Sequence, residues 1–483
     1  MDALECSKTY PETKSLPPPI TRLPSELLAE IFAIFWISLS PSSTKVLEAK
    51  TGTIRTRSFK EVIHNLAHTP LLQLSRVCSR WHAVVLGTPS LWCDIRLDQV
   101  LWTSLKHRDG IIRLLQSTLE RGGNSPLAVE ITGPAPPPSA VIELLAAQSG
   151  RWRSAELVSS ASFMQNLSSL CHRLPRLESL ELHIRDYEAS TVDMLRDLPK
   201  LKHLTFSGPL AAIPAAALAQ LKTFSLFMQP EYMQPAMCLL PALARSAEFR
   251  LELGLWNRDP SKQLTLPSVT SDIRGLAIKI DNPHHTMLGG RTVGEMFASL
   301  TLPNLAELRL SSSEYPLRWP HTPFLALAAR SAFHAHLTSL QLHHFELSHA
   351  DFFACLAAVP ALQRLALCDT AFTTPGGVKD LLISDRVLAR LADAGSAADA
   401  PVLVPHLRAI RLHALMLFSD AALLAFVRAR VRRQPADPAA PPFECRVCWL
   451  PGYHRAIDRA VVAQMTALRQ RRQLVFSFSG VER

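Results

Sequence analysis

The chain has 483 residues, of which 48% are hydrophobic and 19% charged, and a formal net charge of +10. This composition folds, which excludes an intrinsically disordered chain, and the length exceeds what one compact core accommodates. The surplus positive charge is spread over so many residues that it does not by itself call for a nucleic-acid partner.

In chain order, residues 1–19 read as a disordered tail. Residues 20–32 (I-T-R-L-P-S-E-L-L-A-E-I-F) predict a first helix. Pro24 stands where a helix begins without losing a hydrogen bond, and Glu26 sits in the first turn, where the dipole favours an anion. Leu23, Leu27, Leu28, Ile31 and Phe32 paint an apolar face. Residues 38–66 form a polar insert, which a surface connection tolerates because closure entropy grows only logarithmically with length. Thr69 and Pro70 then open a second helical stretch. Leu71, Leu74, Val77, Cys78, Trp81, Val84 and Val85 keep helical spacing until Gly87 stops it.

Three pieces of this region occur in a particular order: Leu23-Pro24-Ser25-Glu26-Leu27-Leu28, then Val77-Cys78-Ser79-Arg80-Trp81, then Thr88-Pro89-Ser90-Leu91-Trp92. Together they resemble an F-box, which assigns residues 20–98 to a small all-α helical domain. The resemblance implies docking onto the Skp-type adaptor of a cullin–RING ubiquitin ligase. It places Leu23, Pro24, Leu27, Leu28 and Ile31 on the docking face and Val77, Cys78, Trp81, Leu91 and Trp92 in the domain's own core.

Residues 99–150 read as a linking or capping segment, with a helix over 101–120, a strand over 127–131, a stiff Pro-rich connector at 133–138 and a helix over 141–148. From Trp152 onward one spacing returns: apolar, two others, apolar, one other, apolar. Copies are Trp152-Ala155-Leu157, Leu177-Leu180-Leu182, Leu201-Leu204-Phe206, Leu221-Phe224-Leu226, Ile273-Leu276-Ile278, Leu305-Leu308-Leu310, Leu337-Leu340-Leu342, Leu362-Leu365-Leu367 and Leu407-Ile410-Leu412, with a fainter one at Leu251 and Leu253. Many copies start 20–25 residues apart, within the range of leucine-rich repeats, each unit placing a short strand whose side chains alternate in and out. Helical spacing at 191–198, 352–359 and 419–433 supplies the return path. The recurrent Leu-Pro-x-Leu at Leu174, Leu198 and Leu302 stops each helix before the next strand. Residues 151–483 therefore resemble the irregular leucine-rich repeats behind fungal F-boxes, an α/β leucine-rich-repeat-like solenoid; an ordinary α/β domain is the alternative. Residues 392–401 and 434–442 read as mobile low-complexity loops.

No arrangement for catalysis, metal or cofactor emerges. Cys445 and Cys448 form a lone C-x-x-C; His454 offers a third ligand, but no fourth is visible and the thiols read as buried on a strand. His284-His285 and His343-His344 are adjacent pairs whose members point to different faces. Residues 288–294 contain glycines but no phosphate-loop ending and read as a turn before a helix at 293–300. The basic clusters Arg428, Arg430, Arg432, Arg433 and Arg469, Arg471, Arg472 read as solvated helix ends. Cys78, Cys171, Cys238, Cys355 and Cys368 read as small buried hydrophobes. The N-terminus lacks the pattern of a signal peptide, and the most apolar run, 27–39, is too short to span a bilayer. The expected protein is thus a cytoplasmic or nuclear non-enzyme without cofactor, membrane or nucleic-acid partner. It binds a Skp-type adaptor and a target protein; the alternative is an interaction scaffold with no role in ubiquitin transfer. Target contacts are expected from strand residues between the repeat leucines, including Glu181, His183, His203, Arg309 and His343.

Overall fold

The computed structural model describes residues 20, 23–38, 66, 69–103, 108–133, 136–160, 163, 174–184, 195, 198–208, 213–255, 263–281, 286–313, 316–369, 382–392, 402–415, 418–434, 441–449 and 455–480. The expected tail, most of the polar insert, most of the helix at 191–198, most of both low-complexity loops, and Cys171, His284, His285 and His454 lie outside them. The chain divides into two compact units, one made of residues up to 133 together with 137–153, the other of residues from 154 on.

In the first unit, α1 (Ser25–Ser38), α2 (Thr69–Leu74) and α3 (Ser79–Gly87) enclose a core of Leu28, Phe32, Trp36, Leu71, Val84, Val85, Leu91 and Trp92. The expected continuous helix from Leu71 to Val85 is broken. The chain leaves α2 at Ser75, and the Cys78 sulfur accepts the Trp81 backbone N–H at 3.5 Å, capping α3. The turn Pro89–Trp92 follows, and the Trp92 indole N–H donates to the Val85 carbonyl at 2.9 Å. The region 20–98 is not purely helical. Its end forms β1 (Asp94–Asp98), which pairs in parallel with β2 (Leu127–Thr132), Ile95 opposite Val129 and Leu97 opposite Ile131. Between them lie α4 (Val100–Thr103) and α5 (Arg108–Arg121), and after β2 comes α6 (Ser139–Ala147). Most of the segment read as a linker thus belongs to the first compact unit.

The second unit is a mostly parallel sheet with helices. Its strands are β3 (Trp152–Ser159, from Ser154 on), β4 (Ser179–Ile184), β5 (His203–Ser207), β6 (Thr223–Met228), β7 (Glu248–Gly254), β8 (Gly275–Asp281), β9 (Glu307–Ser312), β10 (Ser339–His343), β11 (Arg364–Cys368), β12 (Ala409–Ala414), β13 (Phe443–Trp449) and β14 (Leu474–Gly480). They stand side by side in chain order, every neighbour parallel. The apolar spacing maps onto the ladder: Leu180, Leu204, Phe224, Phe249, Leu276 and Leu308 are successive register partners and all are buried. At β7 the ladder pair is Phe249 and Leu251, two residues before the copy read at Leu251 and Leu253. β13 and β14 continue the ladder beyond the last copy read in the sequence.

The Leu-Pro-x-Leu segments are turns. The N–H of Leu177, Leu201 and Leu305 donates to the carbonyl of Leu174, Leu198 and Leu302 at 3.2–3.3 Å, with proline second of the four residues, where its fixed φ fits a β-turn. The same bond recurs at Leu243, Leu362 and Leu407. The helices at His349–Ala357 and Asp420–Arg432 match expectation, each capped by a serine, Ser348 and Ser419. The expected glycine turn at 288–294 is instead inside the helix Thr286–Ser299.

Candidate functional site

Helix α1 is apolar on two sides. One stripe, Leu28, Phe32 and Trp36, repeats every four residues and is buried against α2, α3 and the turn after them. The second stripe faces outward: Leu27 is 45% exposed, Ile31 42%, Ile34 66% and Phe35 40%. A helix apolar all round is ordinarily covered all round, and contiguous exposed apolar side chains mark a binding surface. Ile20 and Val77 add exposed apolar area elsewhere in the unit.

The buried stripe fixes the pose of the exposed one. Arg80 donates to the carbonyl of Leu23, tying the entry of α1 to α3. At the other end the Trp36 indole N–H donates to an Asp94 carboxylate oxygen at 3.3 Å. Arg96 ion-pairs with Asp94 and lies 5.9 Å from the Trp36 ring centroid.

Of the expected docking residues, Pro24, Leu27 and Ile31 are exposed, and Leu23 is half-buried against the core. Leu28 is fully buried and belongs to the core, because it falls a quarter-turn from Leu27 on the face closed by α3. Of the expected core residues, Leu91 and Trp92 are buried and Trp81 packs half-buried against the cluster. Val77 is 60% exposed and Cys78 is exposed, because both lie in the break between α2 and α3. Ile34 and Phe35 were not singled out in the sequence, where the run F-A-I-F-W-I gives no clue to which apolar residues the domain covers.

On the second unit, the strand side chains between the buried leucines carry an ion-pair ladder. Glu248 meets Arg250 and Arg309, each at 3.0 Å; Glu307 meets Arg309 at 2.9 Å and Arg364 at 2.7 Å. Burial works against ionisation of Glu248, and the flanking Arg250 and Arg309 outweigh it, leaving its carboxyl below the usual range. The expected contact residues are all engaged within the chain. His183 and Glu181 are 2.8 Å apart, His203 is 3.0 Å from the Thr223 hydroxyl, and Arg309 bridges two carboxylates. His343 is half-buried with its ring centroid 5.7 Å from that of His413. Burial first, then His413, His344 and Arg411, push it down to about 4.

Other arrangements carry less. Cys445 is fully buried and pushed up to about 12, whereas Cys448 is half-buried; three residues apart on a strand, they point to opposite faces. Cys238 is exposed, contrary to expectation. Cys355, His321 and Asp351 form a row, with 3.9 Å from sulfur to ring nitrogen and 3.4 Å from ring to carboxylate. The thiol is sealed from solvent, and burial pushes it up to about 12, a poor setting for a nucleophile. Arg430 is no solvated helix end. It is buried and donates to the carbonyls of Leu391, Leu403 and Val404 at 2.7, 3.1 and 2.8 Å. Among the described residues no group of His, Cys, Asp and Glu is placed to hold a metal ion, and no helix is long and apolar enough to cross a membrane.

Residues 20–98 match the model of the F-box-like family. These residues are an F-box-like domain. No curated protein matches the chain. Among solved structures it is similar to a chain of the crystal structure of the Rad7 and Elc1 complex in yeast, at 13% identity and a TM-score of 0.30, over 76% of this chain and 96% of that one. The match to the F-box-like model spans the helices that carry both α1 stripes.

Proposed function

We propose that the chain is a substrate receptor of an F-box-type cullin–RING ubiquitin ligase. The F-box-like domain docks on a Skp-type adaptor, and the second unit, read as a leucine-rich-repeat-like solenoid, holds a target protein on its strand face. The observation that carries this reading is the second apolar stripe of α1, Leu27, Ile31 and Ile34, left exposed by a domain that buries the adjoining stripe. Such a helix face fits an apolar groove on a partner. In this role the chain acts by position: holding a target beside a charged conjugating enzyme raises effective concentration.

Co-expression of the full chain with a Skp-type adaptor tests this. A stoichiometric complex is expected. Leu27→Glu with Ile34→Glu should abolish it while leaving the circular-dichroism melt unchanged, because both side chains are exposed in the isolated chain. Failure of the wild-type chain to bind the adaptor, or retention of binding by the double variant, overturns the reading.

A further inference from the structure

The ion-pair ladder on the strand face of the second unit runs out at β11. Up to Arg364 the arginines of the ladder have a carboxylate on their own strand or on the next strand but one. On β12, Arg411 is exposed, with no ion pair among the described residues. Its register partner on β13, Arg446, holds Glu444, which is the sole acid facing outward from β11 to β13. Ala366 and Ala409 occupy the positions beside Arg411 and Arg364 and keep the surface between the guanidinium groups low. The result is three arginines on three adjacent strands around a floor of small side chains. The neighbouring histidines register the same field: after burial, Arg411 is among the causes that hold His413 and His343 below their ordinary range.

We propose that the strand face of β11 to β13 binds an extended acidic peptide segment, with Arg364, Arg411 and Arg446 as its contacts. This rests on the reading of the second unit as the target-binding region and gives the target's docking segment a chemical class. Guanidinium groups take carboxylates in forked pairs. Three neighbouring strands span roughly 10 Å, which about three residues of extended chain cross, so two or three carboxylates within five residues satisfy the patch. A single nucleic-acid strand fits less well. It calls for aromatic platforms, and the outward positions of β11 to β13 carry no Phe, Tyr or Trp.

The test uses the full chain and two fluorescein-labelled twelve-residue peptides, one alternating Asp with Ser, the other Asn with Ser, read by anisotropy. The acidic peptide should bind at least tenfold more tightly than the Asn peptide and weaken as salt rises. Arg411→Glu should cost at least tenfold, whereas Lys279→Ala, on the same face at a paired position, should not. Equal binding of the two peptides, no effect of Arg411→Glu in a chain whose melt is unchanged, or tighter binding of a twelve-nucleotide single-stranded RNA overturns the proposal. Adaptor co-elution separates the two readings. Its absence in the wild-type chain sinks the receptor assignment while an acidic-peptide preference lost in Arg411→Glu still upholds the patch.

Discussion

The ring of Trp81 stands edge-on to that of Phe32, with centroids 5.0 Å apart and planes at 60°. This contact locks α3 onto the buried stripe of α1 and thereby sets the direction of the exposed stripe. Phe32→Ala should cost about 3–5 kcal/mol, seen as a lower urea midpoint of the first unit by tryptophan fluorescence. An unchanged midpoint would show that the core does not depend on this ring.

The helix Thr286–Ser299 packs too closely for side chains at two glycines. A methyl group on Gly290 would collide with the Arg318 carbonyl oxygen, and one on Gly289 with the Leu317 side chain. Gly290→Ala should therefore destabilise by about 1–3 kcal/mol, the cost of overpacking. Gly110, early in α5, has nothing within 4 Å of an added methyl. Gly110→Ala should gain up to about 1 kcal/mol. Thermal melts of the two variants are expected to move in opposite directions.

Asp369, buried just after β11, and the half-buried His343, at the end of β10, give stability opposite pH trends. Burial raises Asp369 to about 7, against the N–H groups of Ile383, Leu415 and Leu382 that favour its charge. The folded chain then holds a proton that the unfolded chain releases near pH 4, so this group's contribution is full below pH 4 and declines as pH rises towards 7. His343, held at about 4, does the reverse: the unfolded chain takes up a proton below about 6.5, and stability declines as pH falls from there to about 4. Asp369→Asn should remove the loss between pH 4 and 7, and His343→Gln the loss on acidification. Urea midpoints across pH 4–8 check both signs; a pH profile unchanged in either variant would contradict the assignment for that group.

Arg430 holds three buried carbonyls from two separate segments. Removing it strands those acceptors, and Arg430→Ala should cost about 3–5 kcal/mol, the scale seen when a buried charged hydrogen-bonding group is lost. Arg430→Lys should recover only part of this, because an ammonium lacks the planar fork. Arg428 and Arg432, both exposed, should tolerate alanine within about 0.5 kcal/mol. Equal losses for all three arginines would refute the distinction.

The strands of the second unit were legible because each brings the same two buried positions, and local spacing writes them directly. It failed where the first apolar position of the unit is not apolar: Ser246 before β7, Pro442 before β13 and Gln473 before β14. There the ladder is held by register with the preceding strand, a relation between segments that spacing within one segment does not record. Helix α1 was legible as a helix and as part of an F-box pattern. Which of its apolar residues face out was not, since α2 and α3 decide that from more than 30 residues away. Val77 misled for a related reason: its spacing fits a helix that the chain leaves two residues earlier.

Because the second unit's strands follow one another in space as they do in sequence, each one closes only against its immediate predecessor and successor. Contact order is therefore low for a structure so rich in β-pairing, which favours rapid, stepwise assembly over a single late collapse. A local flaw in such a sheet need not unravel the whole; it can melt one strand and its neighbours and leave distant strands standing.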